Sequence, residues 1–265
     1  MFVPPIALLA LGLTLIFQPG AFGAKHEIIL KRIQEREDLG WVVQPPAFET
    51  FDFVRLGTHL DGNDWVVANK QRPLVPIDYE PSNLREVKSS KTLDNSRGLE
   101  LADQTASALE ELANKMFKEG AGQLFVNSAY RSYDYQVDLF VSKTKQYGLE
   151  GALVRSAKAG HSEHQTGLAV DVSVPAQGCA IMQCFGDTVA GRWLAENAWK
   201  FGFVIRYEEG TEEITGYTYE PWHLRYVGLE IARSYRDQER HTLEEFWGFP
   251  AAQYYLEEIT ESTSD

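Results

Sequence analysis

The chain has 265 residues, of which 44% are hydrophobic and 24% charged, and it carries a formal net charge of -13 at pH 7. That much apolar material excludes a disordered body and suits one large domain or two small ones. The acidic balance argues against a nucleic-acid partner, since such binding relies on Lys and Arg to neutralise phosphates.

Residues 1–23 contain no charged side chain, and Ile6 to Phe17 form an apolar run of 12. A bilayer span needs about 20 apolar residues, so this run is short for one. Followed by Gln18-Pro19-Gly20 and the small residues Ala21 and Gly23, it reads as a secretory signal peptide ending near Gly23. The missing Lys or Arg before the run keeps a retained membrane anchor as the competing reading, with membrane attachment only if the segment stays uncleaved. Either way the body of the protein is expected outside the cytoplasm, in the periplasm, the cell envelope or the medium.

Residues 24–60, with a charged stretch from Lys25 to Arg36 and Pro45-Pro46, read as an N-terminal arm or linker. A domain over 61–230 is expected to open with two extended segments, Trp65 to Lys70 and Leu74 to Tyr79. Apolar residues at 101, 102, 105, 106, 109, 112, 113, 116 and 117 predict a helix from Leu101 to Phe117, stopped by Gly120. Gln123 to Tyr130 reads as a strand, and Ser132 as the cap of a helix running to Tyr147 and ended by Gly148.

Cys179 and Cys184, in an oxidising compartment, are most simply a disulfide pinning a loop; a thiolate metal site would want further ligands that the neighbourhood lacks. A helix is expected from Thr188 to Phe201 with Asp187 as cap, then strands at Phe203 to Tyr207 and Gly216 to Tyr219 around a turn at Glu208 to Gly210. Residues 231–265 read as a C-terminal helix, with capping-box spacing at Thr242-Leu-Glu-Glu245, and an acidic tail. Helices and strands mix without regular βαβ alternation, which gives an α+β class: a single domain with a central antiparallel sheet flanked by helices.

Of six histidines, His26, His59 and His241 read as ordinary surface or partly packed side chains. His164 and His223 lie inside dense polar clusters. In Ser162-x-His164-x-x-Gly167-x-Ala169-x-Asp171 the small residues leave room for close backbone approach, and Leu168 and Val170 alternate with Ala169 and Asp171 as on a strand. The spacing of His164 and Asp171 suits a loop ligand followed by a strand ligand, which excludes the helical H-E-x-x-H arrangement.

With Glu220-Pro-Trp-His223, read as the end of a strand-like run, the inventory is two imidazoles, one ligand carboxylate and one spare carboxylate. Three ligands leave a zinc ion one open position, the signature of a catalytic rather than a structural site, and the spare carboxylate can serve as general base. On spacing alone a salt-bridged surface loop remains the alternative. His161-x-x-His164 offers another chelating pair, although His161 is read as a rim residue, and Tyr217 and Tyr219 read as packing residues of which one hydroxyl could reach a substrate.

Three separated segments in order, Ser128-Ala-Tyr-Arg-Ser132, Gly160-His-Ser-Glu-His-Gln-Thr-Gly-Leu-Ala-Val-Asp171 and Ile214 to Gly228, resemble the VanY-type zinc D-alanyl-D-alanine carboxypeptidases. These belong with the LAS-type peptidases, which include L,D-carboxypeptidases. The resemblance covers about Asp64 to Gly228 and implies a hedgehog- or D,D-peptidase-like fold. It further implies zinc held by His164, Asp171 and His223, with Glu220 as general base. Arg131 is implied to meet the substrate's terminal carboxylate or polarise the scissile carbonyl, with Gln136 and Ser162 lining the site.

The activity so implied is removal of the C-terminal D-alanine from peptidoglycan stem peptides. The alternatives are L,D-carboxypeptidase action on tetrapeptide stems and, from another class, a non-catalytic cell-wall-binding module. An intact Glu220 speaks against the last, because binding alone needs no base.

Overall fold

The computed structural model describes residues 64–238 and 240–256. The expected signal segment, the arm and the last residues of the acidic tail lie outside them. Three short strands, β1 (Leu84–Glu86), β2 (Leu93–Asp94) and β3 (Glu100–Ala102), precede helix α1 (Asp103–Lys118). The apolar spacing that predicts one helix from Leu101 is divided between two elements. Leu101 and Ala102 are buried as strand residues, paired with Arg85 and Leu84 of β1. From Thr105 onward the helical period holds, and Leu109, Leu112, Ala113 and Met116 are fully buried. Burying a Leu or Met in this way contributes about 1.5–3 kcal/mol each.

Strand β4 (Leu124–Ser128) leads into α2 (Tyr133–Leu153), where the Ser132 hydroxyl accepts a hydrogen bond from Tyr135 N, as its capping role requires. Gly148 does leave helical geometry, with φ 72°, but the chain re-enters a helical turn and continues to Leu153. Next come β5 (Ala169–Ser173) and α3 (Val189–Asn197). The latter is capped by Thr188, not by Asp187, and tightens into a 3-10 turn over Ala198–Phe201 before Gly202.

Strand β6 (Phe203–Ile205), the short α4 (Glu212–Thr215), β7 (His223–Tyr226), α5 (Leu229–Asp237) and α6 (Leu243–Trp247) complete the described chain. No strand forms at 216–219. Gly216 closes α4 at φ 79°, and the tyrosines that suggested a strand lie in a loop, with Tyr217 packed against Tyr207. Thr242 does cap α6: its hydroxyl accepts from Glu245 N and donates to the Glu245 carboxylate.

The main sheet has the order β2-β4-β5-β7-β6. It is antiparallel throughout except at one edge, where β2 runs parallel to β4. The segments 65–70 and 74–79 add no strand to it; they share only an isolated bridge between Asn69 and Arg72.

Alternation along β5 decides which face does what. Val170 and Val172 point into the principal core with Leu109, Leu112 and Met116 of α1 and Leu194 of α3. Ala169, Asp171 and Ser173 therefore face the opposite side, which holds the polar cluster. A second core at the β6 end joins Val204 and Val227 to Ile231, Tyr235, Phe246 and Trp247. Among the described residues no helix is long and apolar enough to cross a membrane.

Candidate active site

Strand register brings the polar residues together. Asp171, in the middle of β5, lies opposite His223 on β7 and opposite Ser128 on β4, the latter pairing following a register shift between Val126 and Ser128. Directly opposed residues hold their Cβ atoms about 4.5–5.5 Å apart, close enough for both to reach one ion. Irregular pairing of this kind is a common way to re-aim side chains beside a site. His223 begins β7, so Glu220-Pro-Trp-His223 enters a strand and does not end one, as the sequence had suggested.

His164 arrives from a 3-10 turn, Glu163–Thr166, closed by Gly167 at φ 70°. A Cβ at Gly167 would stand 2.9 Å from Leu84 Cδ2 and 3.0 Å from Ala102 N, so the turn can pack here only with glycine.

His164 Nδ1 lies 2.7 Å from the Ala129 carbonyl, to which it donates; this fixes the tautomer and leaves Nε2 with a bare lone pair. That Nε2 is 3.3 Å from Asp171 Oδ2, while His223 Nδ1 is 3.2 Å from Asp171 Oδ1 and 3.5 Å from Glu220 Oε2. One donor atom from each of His164, Asp171 and His223 falls within 4.8 Å of the others. His164 Nε2 and Asp171 Oδ1 are buried with no hydrogen-bond partner. Leaving such groups unsatisfied costs about 1–3 kcal/mol each, a cost that a cation held between them removes. The donor set of two imidazoles and one carboxylate suits zinc.

The electrostatics agree with this geometry. Burial, aided by the Arg131 guanidinium, lowers the His164 pKa to about 4, so the imidazole is neutral and ready to ligate. Burial acts the same way on His223, but the Asp171 and Glu220 carboxylates beside it outweigh it and raise the pKa to about 9. Burial would raise Asp171, yet the His223 imidazolium beside it holds it well below the usual carboxylate range. Glu220, only 9% exposed, is raised by burial, the direction a proton-accepting and proton-returning carboxylate needs.

Arg131 stands over this cluster. Its Nε donates to Ser128 Oγ at 2.8 Å and its Nη2 to Asp171 Oδ2 at 2.8 Å. Gln136 does not line the cleft. It is buried beneath it, donating to the Ala157 carbonyl and accepting from Arg131 Nη1 at 3.4 Å, and so steadies the arginine. Ser162 does line the cleft, as do His164, Asp171, Glu220 and His223. His161 points elsewhere: its Nδ1 lies 2.7 Å from the Asn69 carbonyl and its ring meets Tyr255 edge-on. Tyr217 borders the cleft, whereas Tyr219 packs by Gly186.

The cleft has a volume of about 990 Å³. Cys179 and Cys184 are joined in a disulfide, and the loop they close places Ile181 and Met182 on the cleft wall. Bridged, these thiols are not metal ligands.

Sequence reasoning passed over Glu163. Its carboxylate is fully buried beside His164, with Oε1 3.0 Å from Arg206 Nε and 3.1 Å from Arg225 Nη1. Arg206 also grips Glu244 through two bonds of 2.9 and 2.7 Å, and Glu244 accepts from Asn69. Two carboxylates and two guanidiniums thus form a buried, charge-balanced base under the metal-ligand turn. Tyr207, adjacent to Arg206, and Trp222, adjacent to His223, also border the cleft without having been singled out.

The family described as VanY, D-alanyl-D-alanine carboxypeptidase, matches residues 98–229. The YodJ protein of Bacillus subtilis (strain 168), named provisionally as a carboxypeptidase, is 41% identical over 187 residues, which are 70% of this chain and 67% of that protein. Among solved structures, the LdcB LD-carboxypeptidase, described for its peptidoglycan recognition, is similar with a TM-score of 0.61 and 39% identity, covering 70% of this chain and 86% of that one. A glutamate-to-alanine variant of the D,D-pentapeptidase VanY from the VanB-type resistance cassette, in complex with Zn(II), is similar with a TM-score of 0.57 and 29% identity, covering 68% of this chain and 97% of that one. With its three motifs brought to one cleft and these relatives on either side, the chain belongs to the VanY D-alanyl-D-alanine carboxypeptidase family.

Proposed function

We propose that this protein is a zinc-dependent D,D-carboxypeptidase that removes the C-terminal D-alanine from peptidoglycan stem peptides. The observation that carries the reading is the buried set His164, Asp171 and His223, with one ligand atom of each within 4.8 Å of the others and Glu220 beside them. Zinc held by these three residues supplies Lewis acidity to the scissile carbonyl and lowers the pKa of water to about 7.

The rest of the chemistry falls to the chain's own groups. Glu220 takes a proton from the attacking water and returns it to the departing amine as the carbon–nitrogen bond breaks. Arg131 has five N–H donors, of which Ser128, Gln136 and Asp171 occupy three, so one remains on each terminal nitrogen. Those two suit the free carboxylate of the terminal residue or the oxyanion. Such a requirement for a chain end makes the enzyme a carboxypeptidase.

Export fits the reading as a second part of the proposal. The Cys179–Cys184 disulfide belongs to an oxidising compartment, and the apolar segment before Gly23 supplies a route there. The protein's partners are then cell-wall stem peptides. The test is mass spectrometry of products from synthetic pentapeptide and tetrapeptide stems. Loss of D-alanine from the pentapeptide is expected. Cleavage of the tetrapeptide alone would make it an L,D-carboxypeptidase, and tight binding without cleavage of either would make it a binding module.

A further inference from the structure

Helix α2 buries only Gln136 and Ala152 of its 21 residues. Its Tyr135, Leu139, Lys143 and Tyr147 recur every fourth position and all four line the cleft that holds the metal-ligand cluster. This stripe ends in charge. Lys143 Nζ lies 5.7 Å from the Tyr147 ring centroid, and the Arg155 guanidinium 5.3 Å from it, so one ring is bracketed by two cations. Arg155 donates to the Gly151 carbonyl, and neither cation has a carboxylate partner among the described residues.

The acids lining the same cleft are already committed: Glu163 to Arg206 and Arg225, and Asp171 and Glu220 to the catalytic cluster. On a chain of net charge -13, a cleft end left positive is a feature to account for. We propose that Lys143 and Arg155, around Tyr147, form a carboxylate-binding subsite for an acidic residue of the peptide substrate, remote from the bond that is cut. The inference rests on the reading of this cleft as a peptide-cleaving site.

Length supports it. From Gln136, which touches Arg131, to Lys143 is about 10 Å along a helix rising about 1.5 Å per residue. An extended peptide rises about 3.3 Å per residue, so with its terminal carboxylate at Arg131 the third residue upstream of its end reaches Lys143. In a pentapeptide that is the second residue. The tyrosines and Leu139 along the way offer apolar contact to the intervening backbone and side chains.

The experiment compares two synthetic pentapeptides ending in D-alanyl-D-alanine that differ only at the second residue, one with a free carboxylate and one with the corresponding amide. On the wild-type enzyme the carboxylate form is expected to show a KM about fivefold to tenfold lower, at equal kcat. Lys143→Ala/Arg155→Ala should erase that difference by weakening the carboxylate peptide alone, and Lys143→Glu/Arg155→Glu should invert it. Both side chains lie at the surface of α2 and its exit, and thermal melts verify that the variants fold.

Equal effects on both peptides, or none on either, overturn the subsite. Should the wild-type protein cleave neither peptide, the hydrolytic reading fails, and calorimetric binding to Glu220→Gln protein decides the inference separately. Tighter binding of the carboxylate form, lost in the double alanine variant, upholds it; equal binding of the two forms overturns it.

Discussion

Arg131 and Asp171 are joined by a 2.8 Å ion pair, so the arginine assigned to the substrate also grips the central carboxylate of the metal-ligand set. The bond engages Asp171 Oδ2 and leaves Oδ1 without a hydrogen bond, aimed at the cluster. Substrate binding and ligand orientation therefore share one side chain.

Arg131→Gln should separate the two roles. The three ligands remain, so zinc content is expected to stay near wild type, while KM for peptides with a free C-terminal carboxylate rises about tenfold to 150-fold, the value of a charge-assisted hydrogen bond of about 1.5–3 kcal/mol. Wild-type enzyme should prefer the peptide acid over its C-terminal amide, and the variant should not. A variant with unchanged acid-over-amide preference would remove Arg131 from the substrate site.

Metal binding should release protons. With His223 at about 9 and His164 at about 4, the metal-free site at pH 7 carries one imidazolium and one neutral imidazole. Only neutral imidazole ligates, so zinc must expel about one proton at pH 7, and apparent affinity should climb about tenfold per pH unit toward pH 9. Calorimetry in two buffers of different ionisation enthalpy reads the proton count. A count near zero, with affinity flat between pH 6 and 8, would contradict the assigned protonation states.

The buried base under the turn makes a stability prediction with a defined sign. Burial would raise Glu163, but the Arg206 and Arg225 guanidiniums outweigh it and lower its pKa below the ordinary value of 4.5. A depressed carboxylate stabilises the fold fully above its unfolded pKa and loses that contribution as pH falls through the folded one. Glu163→Gln, which leaves buried guanidinium charge uncompensated, should cost about 3–5 kcal/mol at neutral pH. The gap between wild type and variant in urea unfolding should hold from pH 8 to 6 and narrow below about pH 4. A gap that stays constant into acid would contradict the ion-pair account.

The site was legible in the sequence where its chemistry is local. His164, Gly167 and Asp171 stand within one short segment, and Glu220 and His223 within another, so their residue types and spacing carry the ligand set. The register that sets Asp171 opposite His223 was not legible, because it depends on two strands distant in sequence pairing without slip. Alternating tyrosines at 217 and 219 imitate a strand, yet Gly216 closes a helix and the sheet takes His223–Tyr226 in its place. A two-residue strand such as β2 has no period to read, which hid the parallel edge. Glu163, Arg206, Arg225 and Glu244 each look like ordinary surface charges until folding buries all four together.

The central claim is that Glu220 moves the proton while His164, Asp171 and His223 hold the metal. Glu220→Gln, assayed for zinc by mass spectrometry and for D-alanine release from a D-alanyl-D-alanine pentapeptide, addresses it most directly. Zinc is expected to remain at about one per chain, with kcat falling about 10²- to 10⁴-fold. Near wild-type turnover, or zinc lost in step with activity, would contradict it.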